Sequence, residues 1–334
     1  MMEKEQKIDF LAIGDIVIDN FIKLKDAHVH CKIDSDACEL CVRFGDKVPY
    51  ESVNEISAVG NSPNASVSAS RLGLNTGLVT NIGDDENGLK CLKVLENEKV
   101  NTTYVTKESG KKTNYHYVLW YDVDRTILIK HTEFDFKLPA LPPVPWIYLS
   151  SLADNSLPYH SEIADYLKNN PETKLAFQPG TFQIKLGTEK LKDIYARTEI
   201  FFCNKEEAEK ILNIQSDDIL TLSKGIQNLG PKMVSISDGP NGSYLYADGE
   251  LYFTPMYPDI APPLDRTGAG DAFSSTVTVA LALGKTPLEA LSWGPINSMS
   301  VVQKIGAQEG LLSREKLEEY LKNAPATYKT KKVN

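Results

Sequence analysis

The chain of 334 residues is 42% hydrophobic and 24% charged, with a formal net charge of −9 at pH 7. This is the composition of a soluble globular protein with ample chain for a large core, and its acidic balance argues against binding nucleic acid or an anionic membrane. No run approaches the roughly 18 apolar residues of a membrane span, and the opening MMEKEQKIDF lacks the basic-then-apolar order of a secretory signal, so a cytoplasmic location is expected.

Short apolar runs alternate with helical periodicity along most of the chain. In order, the pattern predicts a strand at 9–13, a helix at 63–72, a strand at 78–81, a helix at 88–97 and a strand at 146–149. A helix at 161–169, a strand at 174–177, a helix at 189–196, a strand at 199–203, helices at 205–212 and 219–229 and a strand at 233–237 follow. Buried-looking strands alternating with helices imply βαβ units and a mostly parallel, doubly wound sheet. Ligands of such sheets collect beyond the carboxyl ends of the strands. Two stretches break the rhythm. Residues 21–56, with FIKLKDAHVHCKI, and residues 113–131, TNYHYVLWYDVDRTILIKH, alternate polar and apolar side chains and read as antiparallel strands inserted into the α/β body. A small sheet built from them would leave an apolar face, Phe21, Ile22 and Leu24 or Val118, Trp120 and Ile127, in need of cover. YLYADGELYF reads as a hairpin turning at Asp248-Gly249, and the closing TYKTKKVN as a frayed basic end.

The chemistry-bearing stretches follow the same order. GDIVID sets Asp15 and Asp19 just after the first strand, where a carboxylate can accept two hydroxyl hydrogen bonds or simply be solvated. HVHCKIDSDACELC gathers His28, His30, Cys31, Cys38 and Cys41, but no second C-x-x-C matches Cys38–Cys41, which argues against structural zinc. Five cysteines, an odd number, do not suggest a disulfide scaffold either. In VGNSPNASVSASRLG a helix opens at Gly60 to Asn64, with Ser62 as candidate cap and Pro63 in the first turn. Asn64 there offers donor and acceptor atoms to a polyhydroxylated ligand, or to solvent. Asn204 and Glu207 have the N-x-x-E spacing of a capping box, and a carboxylate at that strand end could also hold a magnesium-bound water.

LDRTGAGDAFSSTVTVALALG places Gly268, Ala269 and Gly270 at the start of a helix with an apolar stripe of Phe273, Val277, Ala280 and Leu281 and a stop at Gly284. Bare amides at a helix N-terminus attract anions, and Asp271 beside them could take a proton from an attacking hydroxyl. A glycine turn with a dipole-favoured acid is the plainer alternative. LALGKT is not a Walker A loop, because Val279 stands where its first glycine is needed. Gly268, Gly270 and Phe273 fail the dinucleotide fingerprint.

Together these stretches resemble the ribokinase family of carbohydrate kinases, also called the PfkB family. GDIVID, GNSPNASVSASRLG, NIGDDENG, NKEE, SDGPNG and DRTGAGDAF occur in the family's order over most of the chain. The resemblance implies a ribokinase-like three-layer α/β/α sandwich with a small β-sheet lid. Residues 1–16, 57–111 and 132–325 would form the catalytic core, 17–56 and 112–131 the lid, and 326–334 a flexible tail. The implied activity is ATP-dependent phosphoryl transfer to a hydroxyl of a small sugar, with Asp271 as general base and the amides of Gly268, Ala269 and Gly270 as anion hole. Asp19, Gly60, Asn61 and Asn64 would line the acceptor site. Asn204 and Glu207 would serve Mg2+ and phosphate, and Ser237, Gly239, Gly242 and Asn297 the nucleotide. Asp265 matches a position that in some members helps bind an activating monovalent cation such as K+. The family's lid often makes a dimer, so a homodimer is expected.

There are departures from the pattern. The usual glycine pair is Val59-Gly60, Val17 and Asn61 replace an asparagine and a lysine of ribokinases proper, and IYLSS lacks their substrate-contacting acid. These changes argue against ribose itself. Other sugar kinases and nucleoside kinases stay open, with Tyr115, Tyr117, Trp120 and Tyr121 available either to stack on a base or to pack the lid. A non-catalytic sugar-sensing regulator is the alternative of another class, against which the complete GAGD run argues.

Overall fold

The computed structural model describes residues 7–31, 38–121 and 124–333. The first half of the chain forms β1 (Phe10–Ile13), β2 (Val17–Leu24), β3 (His28–Cys31), β4 (Cys38–Cys41), β5 (Tyr50–Val59), α1 (Asn61–Arg71), β6 (Thr76–Gly83), α2 (Glu86–Asn97), β7 (Val105–Glu108), β8 (Asn114–Tyr121), β9 (Asp124–Leu128), β10 (Trp146–Leu149) and α3 (Leu157–Asn169). The second half forms β11 (Lys174–Phe177), α4 (Thr181–Leu186), α5 (Lys192–Arg197), β12 (Thr198–Asn204), α6 (Lys205–Leu212), α7 (Ile219–Gln227), β13 (Met233–Ser237), β14 (Ser243–Ala247), β15 (Glu250–Thr254), α8 (Ala269–Ala282), α9 (Pro287–Val301), α10 (Arg314–Lys322) and β16 (Lys331–Val333).

Ten strands make the central sheet, in the order β16-β15-β14-β13-β12-β11-β10-β1-β6-β7. It is parallel from β13 to β7 and antiparallel from β13 to β16. Successive side chains of a strand point to opposite faces, so each buried strand feeds two cores. Phe10, Ala12, Trp146 and Tyr148 pack with α1, α2, α8, α9 and α10 on one side. Leu11, Ile13, Ile147 and Leu149 pack with α3, α5, α6 and α7 on the other. The result is the expected three-layer α/β/α sandwich. The Asp248-Gly249 turn has positive φ at both residues, 52° and 79°, as a tight two-residue hairpin requires.

A second sheet, in the order β5-β2-β8-β9, stands beyond the carboxyl ends of the parallel strands. The two inserted stretches pair with each other, but through a parallel contact, Val17↔Asn114 to Lys23↔Trp120, and not antiparallel as expected. The reason is connectivity. Strand β2 follows β1 and β8 follows β7, two strands running the same way in the main sheet, so both insertions leave it in the same direction. The outer pairs, β2 with β5 and β8 with β9, are antiparallel.

The register sorts the side chains of this lid. Asp19, Phe21 and Lys23 share a face with His116, Val118 and Trp120, and Trp120↔Arg125 adds Arg125 to that face. Phe21 and Val118 on it are buried. The outer face presents Tyr50, Val53, Tyr117 and Leu128, each 44–59% exposed. The apolar face left uncovered is therefore not that of Phe21 and Val118. Strands β3 and β4 form an exposed hairpin, whose register sets Cys31 opposite Cys38. The two are joined by one disulfide, not a scaffold, with Cys41, Cys91 and Cys203 free.

Segment 326–333 is not the frayed tail its lysines suggest. Strand β16 pairs antiparallel with β15. Tyr328 is 7% exposed, lies 4.9 Å from the Tyr257 ring and donates its hydroxyl hydrogen to the Ser292 carbonyl. Residue 334 falls outside the described residues.

Candidate active site

The parallel strands deliver polar groups to one edge. Asn204 ends β12, Ser237 ends β13, Gln178 follows β11 and Asp15 follows β1. Above them starts α8. Its N-cap, Gly268, has φ 78°, and a Cβ there would lie 2.3 Å from the Ala307 methyl, so only glycine fits. The amides of Ala269, Gly270 and Asp271 lie in the first turn, before intrahelical acceptors exist. A Cβ added to Gly270 would meet only the Gln178 amide, at 4.0 Å, and would otherwise project into open space. That space belongs to a cavity of about 300 Å³ lined by Asn204, Glu207, Ser237, Gly268, Ala269, Gly270 and Asp271, with Arg125 from the lid.

Asp271 is 8% exposed. Burial raises its pKa above the usual carboxylate value, and three amide hydrogen bonds oppose that rise. Asn61 Nδ2 donates to Oδ1 at 2.7 Å, Gln178 Nε2 to Oδ1 at 3.1 Å and Asn64 Nδ2 to Oδ2 at 2.8 Å. The donors are themselves held. Gly60 caps α1 at φ 121°, where a Cβ would sit 2.7 Å from the Asp15 carbonyl oxygen. Asn61 and Asn64 then fall one turn apart on one helix face. Gln308 Nε2 donates to Asn64 Oδ1 at 3.0 Å and to the Ala58 carbonyl at 2.7 Å. Gln178 Oε1 accepts from Tyr148 OH and from Ser274 Oγ.

Several expected roles change on this geometry. Ser62 is not the cap of α1; its hydroxyl donates to the Ile13 carbonyl at 2.7 Å, inside the core. Asn61 and Asn64 each donate one amide hydrogen to Asp271, and Asn61 also lines the cavity. Asn204 and Glu207 do form the capping box, each side chain bonded to the other's backbone amide, and both also line the cavity. Burial raises the Glu207 pKa.

A second cleft, of about 260 Å³, adjoins the first through Ser237, Ala269 and Gly270. Its walls include Gly239, Pro240, Met256, Tyr257, Met299 and Val302. Gly242 is not among its lining residues; it shapes the turn behind, where a Cβ would strike the Thr254 carbonyl at 2.6 Å. Asn297 is fully buried and bonded to Thr276 Oγ1 and the Leu312 amide. Its neighbours Pro295, Ser298 and Met299 face the cleft in its place. Asp265 accepts from the Thr267 amide and hydroxyl and the Gly306 amide, and lies 3.5 Å from Arg125. Asp265 thus braces the loop before α8.

On the lid side, Asp19 Oδ1 lies 3.5 Å from His116 Nδ1, and Asp15 Oδ2 lies 3.3 Å from His131 Nδ1. Sequence reasoning missed Gln178, Gln308, Arg125 and both histidines. None sits in a distinctive local pattern; the lid registers place His116 and Arg125, and tertiary packing places the others.

The model of the pfkB family carbohydrate kinases matches residues 28–314. Ribokinase from Bacillus subtilis (strain 168) is 26% identical over 269 residues, covering 78% of this chain and 87% of its own. The 5-dehydro-2-deoxygluconokinase of Geobacillus thermodenitrificans is 22% identical over 346 residues, covering 97% and 96%. The structure of Arabidopsis thaliana ribokinase complexed with ribose and ATP superposes with a TM-score of 0.77 at 18% identity, covering 95% of this chain and 99% of its own.

One prediction follows from the Asp271 bonds. Each donor stabilises the ionised carboxylate, so replacing Gln178 by Met should raise the Asp271 pKa further above the usual carboxylate value. Carboxyl NMR titration reads this directly. An unchanged or lowered value would contradict the assigned role of Gln178.

Proposed function

The chain belongs to the pfkB family of carbohydrate kinases, and from that membership we propose that it transfers the γ-phosphate of ATP to a hydroxyl of a small sugar with Asp271 as general base. The observation that carries this reading is the placement of one buried carboxylate in the first turn of α8, at the edge of a cavity lined by Gly268, Ala269 and Gly270. The acceptor hydroxyl donates to Asp271 and attacks the terminal phosphorus in line. Phosphoryl transfer depends mainly on positioning and charge stabilisation. The amides of Gly268, Ala269 and Gly270 meet the developing negative charge, with the Arg125 guanidinium opposite them on the lid. The apolar cleft between Met256, Tyr257 and Met299 suits a purine, and Ser237 and Gly239 stand toward the phosphates.

The residues present fit a magnesium ion brought in by the nucleotide. This ion keeps waters and takes few protein ligands, and Glu207 and Asn204 lie in the phosphate cavity. One Glu207 oxygen serves the capping box, leaving the other for a metal-bound water. Bound there, Mg2+ would supply positive charge between the phosphates.

A sugar suits the acceptor side better than a nucleoside. Pleat alternation turns Tyr115, Tyr117 and Tyr121 to the face opposite Asp19 and His116. Trp120 shares the site face, and there the Lys23 ammonium lies over its ring at 5.6 Å. The site is therefore walled by hydrogen-bonding groups more than by rings for a base.

Replacing Asp271 by Asn should lower kcat by at least about 10²-fold, the usual scale for a general base, while nucleotide binding and the fold persist. ADP formation with a panel of sugars and nucleosides measures this. Wild-type turnover in the variant would end the assignment. An inert wild-type enzyme that still binds sugar would instead favour the sensing regulator, and turnover of nucleosides alone the nucleoside kinase.

The exposed outer face of the lid, with Tyr50, Val53, Tyr117 and Leu128, is proposed to bury itself against a second copy of the chain, because contiguous apolar surface of this kind marks an interface. Light scattering should give twice the chain mass, 37.0 kDa, falling to one copy when Tyr117 and Leu128 are both replaced by Glu. A monomeric wild-type protein would count against this.

A further inference from the structure

Four titratable side chains meet between the lid and the core, next to the Asp271 network. Asp15 comes from the loop after β1, Asp19 from β2, His116 from β8 and His131 from the segment after β9. The two imidazoles lie 5.3 Å apart, edge to face, and the His131 ring packs edge-on against Phe182 at 5.5 Å. Asp15 and His116 are 9% and 8% exposed. Each carboxylate stands within ion-pair distance of an imidazole, 3.3 Å and 3.5 Å, yet the pairs are poorly aligned. Asp15 Oδ2, Asp19 Oδ1, His116 Nε2 and His131 Nδ1 are all buried without a hydrogen-bond partner.

Buried polar atoms left unbonded are costly, so a cluster of them points to a ligand that completes them. Their chemistry limits the ligand. The carboxylate oxygens only accept. With the imidazole hydrogen on Nδ1, toward Asp19, His116 Nε2 is also an acceptor. The wall therefore calls for donors, and a hydroxyl donates where a ligand carboxylate cannot. Charge agrees with this. Three carboxyl side chains, Asp15, Asp19 and Asp271, stand here against two imidazoles. Arg125 is drawn to the phosphate end by Asp265.

We propose that His116 and His131, together with Asp15 and Asp19, form the acceptor-binding wall of this kinase and select a neutral polyhydroxylated sugar over a sugar acid. This inference rests on the sugar-kinase reading and narrows it. The connection to the base is structural. The Asp15 carbonyl abuts Gly60, the cap of α1, and α1 carries Asn61 and Asn64 onto Asp271.

The test uses the full chain with ATP and Mg2+, comparing neutral pentoses and hexoses with their aldonate counterparts. The neutral acceptor should be favoured at least about 100-fold in kcat/KM. His116→Phe and His131→Phe keep a ring but remove the polar atoms, and each should raise acceptor KM about tenfold or more with the KM for ATP unmoved. His116→Gln and His131→Gln, which restore an amide acceptor, should recover part of the loss, an outcome that simple packing would not give. Preference for an aldonate, or acceptor KM unchanged in both Phe variants, overturns the inference and leaves the kinase assignment standing. Calorimetry separates the opposite case. A neutral polyol that binds, loses affinity in the Phe variants and is never phosphorylated overturns the kinase assignment and leaves the wall standing. Neither binding nor turnover of any neutral polyol overturns both.

Discussion

A carboxylate held in a buried place by neutral amides is the constraint on which the rest of the site depends. Asp271 must be ionised to take a proton, yet burial opposes its charge. A lysine beside it would secure the charge but would weaken it as a base and compete for the phosphate. Amides stabilise the anion without carrying charge of their own. Asn61, Asn64 and Gln178 fill that role, and each is anchored in turn by a glycine cap, by Gln308, or by Tyr148 and Ser274. The same need explains the burial of α8 along Asp271 to Ala280: a helix packed on both flanks cannot rotate its first turn away from the amides.

Charge is divided along the site. Arg125 and the first amides of α8 gather at the phosphate end, while Asp15, Asp19 and Asp271 lie toward the lid and the loop after β1. On the proposed function, an anionic nucleotide and a hydroxyl-rich acceptor would meet with Asp271 between them. The parallel pairing of β2 with β8 matters here, because its register sets Asp19 opposite His116, and the next pairing, Trp120↔Arg125, turns the guanidinium inward.

Much of this was legible in the chain itself, where local chemistry decides. Strands 146–149, 174–177 and 233–237 and helix 205–212 coincide with β10, β11, β13 and α6, since apolar runs and a capping box are local signals. The GAGD turn announces itself through its glycines, of which Gly268 leaves no room for a side chain. Other features depend on tertiary contacts. Helix α9 is buried on nearly every side and carries Pro295 inside it, so it shows no apolar stripe. Helix α10 buries only Leu317, so its apolar face is narrow. Asn297 lies on the right helix but points into the core, an orientation that sequence position alone does not set. Gln178, Arg125, His116 and His131 become functional candidates only after the lid registers and tertiary packing place them together.

The most direct test of the account is a crystal structure with Mg2+, a non-hydrolysable ATP analogue and a turned-over neutral sugar bound together. The account predicts one sugar hydroxyl within about 2.6–3.2 Å of an Asp271 carboxylate oxygen, in line with the terminal phosphorus, and that phosphate against the Gly270 amide. A reactive hydroxyl bound away from Asp271, with the terminal phosphate outside the cavity at the start of α8, would contradict it.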